Sequence, residues 1–285
     1  MLLFAELCFA ATSAMVKYLA PDIPATHLVF FRNFFALIVL LPWLYKRRQT
    51  AFRTSQLKLH LLRAVTGIAG MYLFFYVITQ VALAKATLVL LMAPFIIPVI
   101  SWFWLKERIG PALWFAIALG FLGVLIFLNP FAGGFPAVML FAFLAAFLAA
   151  WAKTVIRKLS KTESPSKIVF YFSFFATVMT AIPVLINWQQ LSWQLWMGVM
   201  LMGVFAVLGQ LTMTRAFSMA PPSQIGVFTY SSVLFAALIG YLIWGEAFTV
   251  HMLVGTAIIM SAGYLTIRQN RSPAIKIPPS GTTNP

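Results

Sequence analysis

Leu105-Lys106-Glu107 and Trp244-Gly245-Glu246 each place a Glu at the end of one hydrophobic run and ahead of the next, each run being about twenty residues long. The two Glu residues lie 139 positions apart, and the same offset aligns Gly70 with Gly209, Ile100 with Ile239 and Ala118 with Ala257. Phe34-Phe35-Ala36 falls on Phe174-Phe175-Ala176 at 140. Five hydrophobic runs recur in the same order in each part, so the chain reads as two related halves. Five is odd, so the second half enters the membrane from the opposite side. Halves of opposite orientation are the build of many secondary carriers.

Composition fixes the solvent. A chain of 285 residues that is 62% hydrophobic and 9% charged, with mean hydropathy +0.95, does not describe a water-soluble domain. Runs long enough to cross ~30 Å of hydrocarbon fall near 2–20, 25–45, 59–80, 86–105, 111–129, 135–156, 167–187, 194–216, 224–244 and 249–267. They are continuous rather than alternating, which excludes a β-barrel. The fold expected is an all-α polytopic membrane protein of ten transmembrane helices in two inverted five-helix repeats, residues 1–129 and 135–267. Residues 268–285 follow as a cytoplasmic tail whose Pro, Ser and Thr from Ser272 onward predict disorder. The first run lacks a basic leader and a cleavage site, so it reads as a retained helix, with a truncated start left open.

Charge orients the spans. With the N-terminus inside, cytoplasmic segments hold fifteen of the twenty Lys and Arg residues: Lys46, Arg47, Arg48, Arg53, Lys58, Lys106, Arg108, Arg157, Lys158, Lys161, Lys167, Arg215, Arg268, Arg271 and Lys276. The outer hairpins hold Lys85, and Lys17, Arg32, Arg63 and Lys153 lie within or near spans. This bias puts both termini in the cytoplasm. It also accounts for the net charge of +15 without nucleic acid as a partner. The expected partners are the lipid bilayer and a small-molecule metabolite, and homodimer formation is left open.

Enzyme chemistry finds little support. The five acids, Glu6, Asp22, Glu107, Glu163 and Glu246, form no pair, and the three His are scattered. No phosphate-cradling loop or metal-ligand spacing is present, so no cofactor and no metal are expected. Cys8 in the first span reads as a small packing residue. A membrane-embedded enzyme or a non-transporting partner subunit stands as the competing class, separable by solute flux.

Polar groups inside spans are the remaining pointers, because hydrocarbon tolerates them only with partners or water. In the third span Arg63, Gly67, Gly70 and Phe74 form one stripe and Tyr72, Tyr76 and Thr79 another. The small-residue stripe suits close packing, the tyrosine stripe a cavity. In the eighth span Gly203, Ala206, Gln210 and Thr214 share a face, and Thr229, Tyr230, Ser231 and Ser232 sit mid-membrane in the ninth. Pro94 and Pro98 remove backbone donors and should bend the fourth. Glu107 and Glu246 suit helix-start capping and hinge stabilisation over proton coupling. Glu6 is the one acid inside a span and hence the coupling candidate. Its place near the cytoplasmic end would let it snorkel and stay solvated. Lys17 and Arg32, near the outer end of the first hairpin and close to Asp22, suit either a structural ion cluster or capture of a carboxylate or phosphate.

The run Ala216, Ser223, Tyr230, Gly240, Gly245-Glu246, Gly255, Gly263, with Lys17, Arg32, Ala82 to Ala86, Pro94 and Lys106-Glu107-Arg108, resembles the drug/metabolite transporter superfamily, in its EamA branch. The resemblance covers residues 1–268 and implies a ten-helix permease with a central cavity lined mainly by helices 1, 3, 4, 6, 8 and 9. Arg63 to Tyr76 is similar to members that include vitamin and S-adenosylmethionine permeases. The candidate substrate-binding residues are Arg32, Tyr72, Tyr76, Gln210, Tyr230 and Ser231, and the structural motif residues are Lys17, Pro94, Glu107 and Glu246. Intramembrane cations outnumber acids, which favours a zwitterionic or anionic solute with an apolar or ring part, vitamin-, nucleoside- or amino-acid-like, that aromatic residues can stack on. The charge bias yields a test: a reporter fused after Lys276 or inserted near Arg53 is expected in the cytoplasm, and one at Gly133 or Gln190 outside. A cytoplasmic reporter at Gly133 would overturn the ten-span map.

Overall fold

The computed structural model describes residues 1–51, 53–90, 92–105, 111–128, 137–219, 229, 231–246 and 249–269. Glu107, Tyr230 and the 270–285 part of the tail lie outside the described residues, as does the side chain of Pro94. Eleven helices run through the described residues: α1 (Leu2–Leu19), α2 (Ala25–Ala51), α3 (Leu57–Gln80), α4 (Leu83–Leu90), α5 (Ala93–Leu105), α6 (Pro111–Leu128), α7 (Val138–Leu159), α8 (Pro165–Ile186), α9 (Trp193–Met219), α10 (Ser231–Trp244) and α11 (Val250–Gln269). Six of them are long and apolar enough to cross a bilayer, and four further apolar segments are shorter. Large side chains such as Phe103, Ile182, Leu185 and Leu242 are exposed on the outside of the bundle. Only hydrocarbon makes such a surface favourable.

The fourth span differs from its expected form. It begins at Leu83 rather than at 86, and it is two helices, α4 and α5, rather than one. Met92 closes a tight turn onto the Val89 carbonyl at 3.0 Å, and Pro94 follows as the second residue of α5. A proline tolerates the first turn of a helix and breaks its interior, so the chain restarts the helix around it.

Packing repeats across the two halves. α1 lies on α9 as α3 lies on α7, α1 on α10 as α7 on α4 and α5, and α2 on α9 as α8 on α3, while α2 meets α8 and α6 meets α11. Exchanging α1 to α6 with α7 to α11 leaves this pattern unchanged, as two related halves require. The aligned glycines serve equivalent contacts. A Cβ on Gly70 would stand 3.2 Å from Leu148 of α7, and one on Gly209 2.8 Å from Phe9 of α1. At the α6–α11 crossing a Cβ on Gly255 would lie 2.7 Å from the Gly123 carbonyl. Small residues let membrane helices approach this closely.

At the end of the bundle that carries the start of α1, Glu163 of the α7–α8 turn is buried. It accepts hydrogen bonds from Thr54 at 2.5 Å and Lys167 at 2.7 Å. His60 Nε2 lies 3.9 Å away, with its ring stacked on Tyr171. Burial pushes this carboxyl up, but the hydrogen bonds from Lys167 and Thr54 and the charges of Lys167 and His60 together hold it below its ordinary 4.5. A carboxylate depressed in the folded state stabilises above its unfolded pKa, and that contribution fades as pH falls through the lower folded value. Glu163→Gln is therefore expected to melt below the parent at neutral pH, with the gap closing as pH drops below 4.5. A gap that stayed constant across this range in a thermal-unfolding series would contradict the assignment.

Candidate functional site

A cavity of about 200 Å³ lies at the centre of the bundle, walled by side chains from α1, α2, α3, α4, α7, α8, α9 and α10. Helical spacing delivers them. Glu6, Ala10 and Ser13 step along one face of α1, Arg63, Gly67, Gly70 and Phe74 along one face of α3, and Ala145, Ala149 and Lys153 along one face of α7. The lining is largely apolar, with Phe9, Met71, Phe74 and Phe172 prominent.

Charge is concentrated on this wall. Arg63 is 5% exposed, its guanidinium lies 4.0 Å from the Phe172 ring centroid, and Nη2 donates to Gln210 Oε1 at 3.3 Å. Its Nε has no hydrogen-bond partner. Gly67 makes this pose possible, since a Cβ there would collide with the Arg63 guanidinium and come within 2.7 Å of Phe172. Arg32, also 5% exposed, donates to Asn33 Oδ1 at 3.2 Å, and Asn33 is in turn anchored to the Val29 carbonyl at 2.7 Å. The charge of Arg32 presses on that of Arg63. Lys153 lines the same cavity, as does Glu6, which is 6% exposed. Thr87 adds a buried hydroxyl without a partner. Three basic side chains and one acid thus share the cavity, and among the described residues neither arginine meets a carboxylate. A buried charge without compensation costs roughly 3–5 kcal/mol, which sets the two arginines apart from the rest of the lining.

The sequence-based candidates divide. Arg32 and Gln210 line the cavity. Tyr72 and Tyr76 do not: Tyr72 packs beside Ile68 and Phe172, and Tyr76 is 48% exposed with its ring edge-on to Phe141. On α3 it is the glycine stripe that borders the cavity, Gly70 also packing on α7, while Tyr72 packs against α8 and Tyr76 is exposed. Ser231 is half-buried at the start of α10, and its neighbours Thr229 and Ser232 line the cavity instead. Glu6 does not snorkel; it is buried and lines the cavity. Lys17 pairs with Glu246 rather than with Asp22. Glu246 does cap a helix, accepting the Leu83 N–H at 3.0 Å, but that helix is α4 rather than α11, which follows it. Arg63 and Lys153 were visible as cations within spans, yet the sequence offered no signal that they meet Glu6 and Arg32.

These features define a polytopic membrane protein with an internal, solute-sized, charged cavity. Residues 1–129 and 136–268 both match the family model of the EamA-like transporter family, and the chain belongs to that family. It is 32% identical to the pseudopaline exporter CntI of Pseudomonas aeruginosa, over 90% of this chain and 91% of that one. It is 29% identical to a riboflavin transporter of Vibrio cholerae, over 93% and 91%. An S-adenosylmethionine uptake transporter of Rickettsia bellii is 28% identical over 89% and 87%. One solved structure, described only as the crystal structure of a protein, superposes with a TM-score of 0.72 over 95% of this chain and 96% of that one, at 17% identity, a likeness of fold. The chain is a small-metabolite permease and not an enzyme. Gly67→Ala tests the cavity geometry: a methyl group there must expel Arg63 from its place on Phe172, so transport is expected to fall at least tenfold, about 1.4 kcal/mol, while the melting temperature stays near the parent's. Unimpaired flux would show that the pose of Arg63 is immaterial.

Proposed function

We propose that this permease moves an anionic or zwitterionic metabolite with an apolar or ring portion, by alternating access, across the inner membrane with both termini cytoplasmic. The relatives' names differ in solute and in direction, so the reading rests on this chain's own cavity. The observation that carries it is the buried Arg63 with an unpartnered Nε, beside Arg32 and stacked on Phe172. The anionic group docks at Arg63, Arg32 and Gln210, where a guanidinium fork matches a carboxylate or phosphate. The apolar part lies against Phe9, Met71 and Phe74. Glu6 is the coupling residue of this reading, because its burial beside Lys153 ties its charge to whatever occupies the cavity.

The test uses purified protein and a solute panel of vitamins, nucleosides, amino acids and aromatic carboxylates. A ligand at a hundred times its dissociation constant stabilises the folded state by about 2.7 kcal/mol. Anionic members are expected to raise the melting temperature, and Arg63→Gln to remove the effect. In proteoliposomes under an imposed gradient without ATP, Glu6→Gln is expected to lose uphill accumulation and keep equilibrium exchange. Stabilisation by cationic members alone would overturn the solute class, and accumulation by Glu6→Gln would overturn the coupling role.

A further inference from the structure

A second pocket, of about 500 Å³, opens at the opposite end of the bundle from Glu163, and Phe75 walls both it and the central cavity. Lys17, Tyr76, Thr79, Gln80 and Trp244 line it. The Lys17 ammonium lies 5.1 Å from the Trp244 ring centroid, donates to the Val81 carbonyl at 3.4 Å and is paired with Glu246. The Glu246 oxygens also accept the Leu83 N–H at 3.0 and 3.2 Å. Two glycines make room for this carboxylate. Gly245 turns the chain back at φ 64, a conformation that favours glycine, and a Cβ on Gly240 would strike the carboxyl group. A loop of the second half thereby inserts an acid between α1 and α4 of the first.

An ammonium beside an aromatic wall, with a backbone N–H converging on the same point, is a carboxylate site, and here the chain's own carboxylate fills it. A solute leaving the cavity past Phe75 meets Lys17 next. Withdrawing Glu246 with nothing in its place would strand a cation whose side chain is 18% exposed; substituting one anion for another would not. We propose that this pocket is a second station for the solute's anionic group, held in this state by Glu246 as an internal stand-in, and that exchange of the two carboxylates unlatches the second half from α1 and α4. The proposal rests on the anionic-solute reading above.

Benzoate, a carboxylate with an apolar ring, serves as probe in thermal melts in neutral detergent. The central site is silenced by Arg63→Gln, so that the far pocket is read alone. Adding Glu246→Gln to this background is expected to lower the half-saturating benzoate concentration at least tenfold, because the internal competitor is gone, and adding Lys17→Gln as well is expected to abolish the gain. An unchanged half-saturation on removing Glu246, or a gain that survives Lys17→Gln, overturns the proposal. Should the Glu246→Gln chain fail to melt cooperatively, Arg63→Gln is compared with Arg63→Gln/Lys17→Gln: residual benzoate stabilisation lost in the second supports the station, and equal stabilisation sinks it. Phosphatidylglycerol giving the same shift without benzoate would assign the pocket to a lipid headgroup and overturn the transit role. Failure of the central reading shows separately, as parent and Arg63→Gln responding alike to benzoate.

Discussion

A guanidinium inside a hydrocarbon slab must be stacked, hydrogen-bonded and matched by a counter-charge, and Arg63 has only the first in full. Phe172 supplies the stack and Gln210 one acceptor. The missing counter-charge organises the rest of the site. Gly67 and Gly70 exist as hollows so that this side chain and its surroundings fit against α7 and α8. Arg32 raises the local positive charge instead of relieving it. An interior that water cannot screen magnifies these terms, which is why the anionic-solute reading proposed above rests on this pair.

The helices were legible because the bilayer sets one length scale and allows one backbone solution. Six of the ten expected runs coincide with helices long and apolar enough to span, and shorter apolar helices lie within the other four. The fourth span shows the limit of that rule. Pro94 and Pro98 announced a bend, but a hydropathy window averages across Leu90 to Ala93 and registers no interruption, so the restart at α5 went unread. The offset of 139 positions was informative for a different reason. Gly70 and Gly209 occupy corresponding close contacts, α3 on α7 and α9 on α1, where an added Cβ would press on Leu148 and on the Phe9 ring.

The site was less legible than the fold. On α3 the glycine stripe and the tyrosine stripe are adjacent, and the sequence of one helix cannot say which its neighbours leave open. Amphipathic reasoning works when one face meets water; inside lipid both stripes can be satisfied, the tyrosines by packing and the glycines by leaving space. Glu6 was misplaced by the same blindness. Its height along α1 suggested a solvated end, but the side chain is buried in the wall of the central cavity. Lys153 read only as a cation within or near a span, and only tertiary structure brings it to the same cavity as Glu6.

Glu6 and Glu246 show how environment divides two acids that composition treats alike. Glu246 is answered on several sides, by Lys17 and by the Leu83 N–H, in a niche that Gly240 and Gly245 leave open. Its charge is spent on tying one half of the chain to the other. Glu6 shares the cavity with Lys153, and Lys153 shares it with Arg63. A fully answered acid holds a structure in place, whereas one whose partner is also pulled upon responds to each change in the charge of the cavity. That difference, and not the depth of either residue in the membrane, is why latching falls to Glu246 and coupling to Glu6 in the reading proposed above.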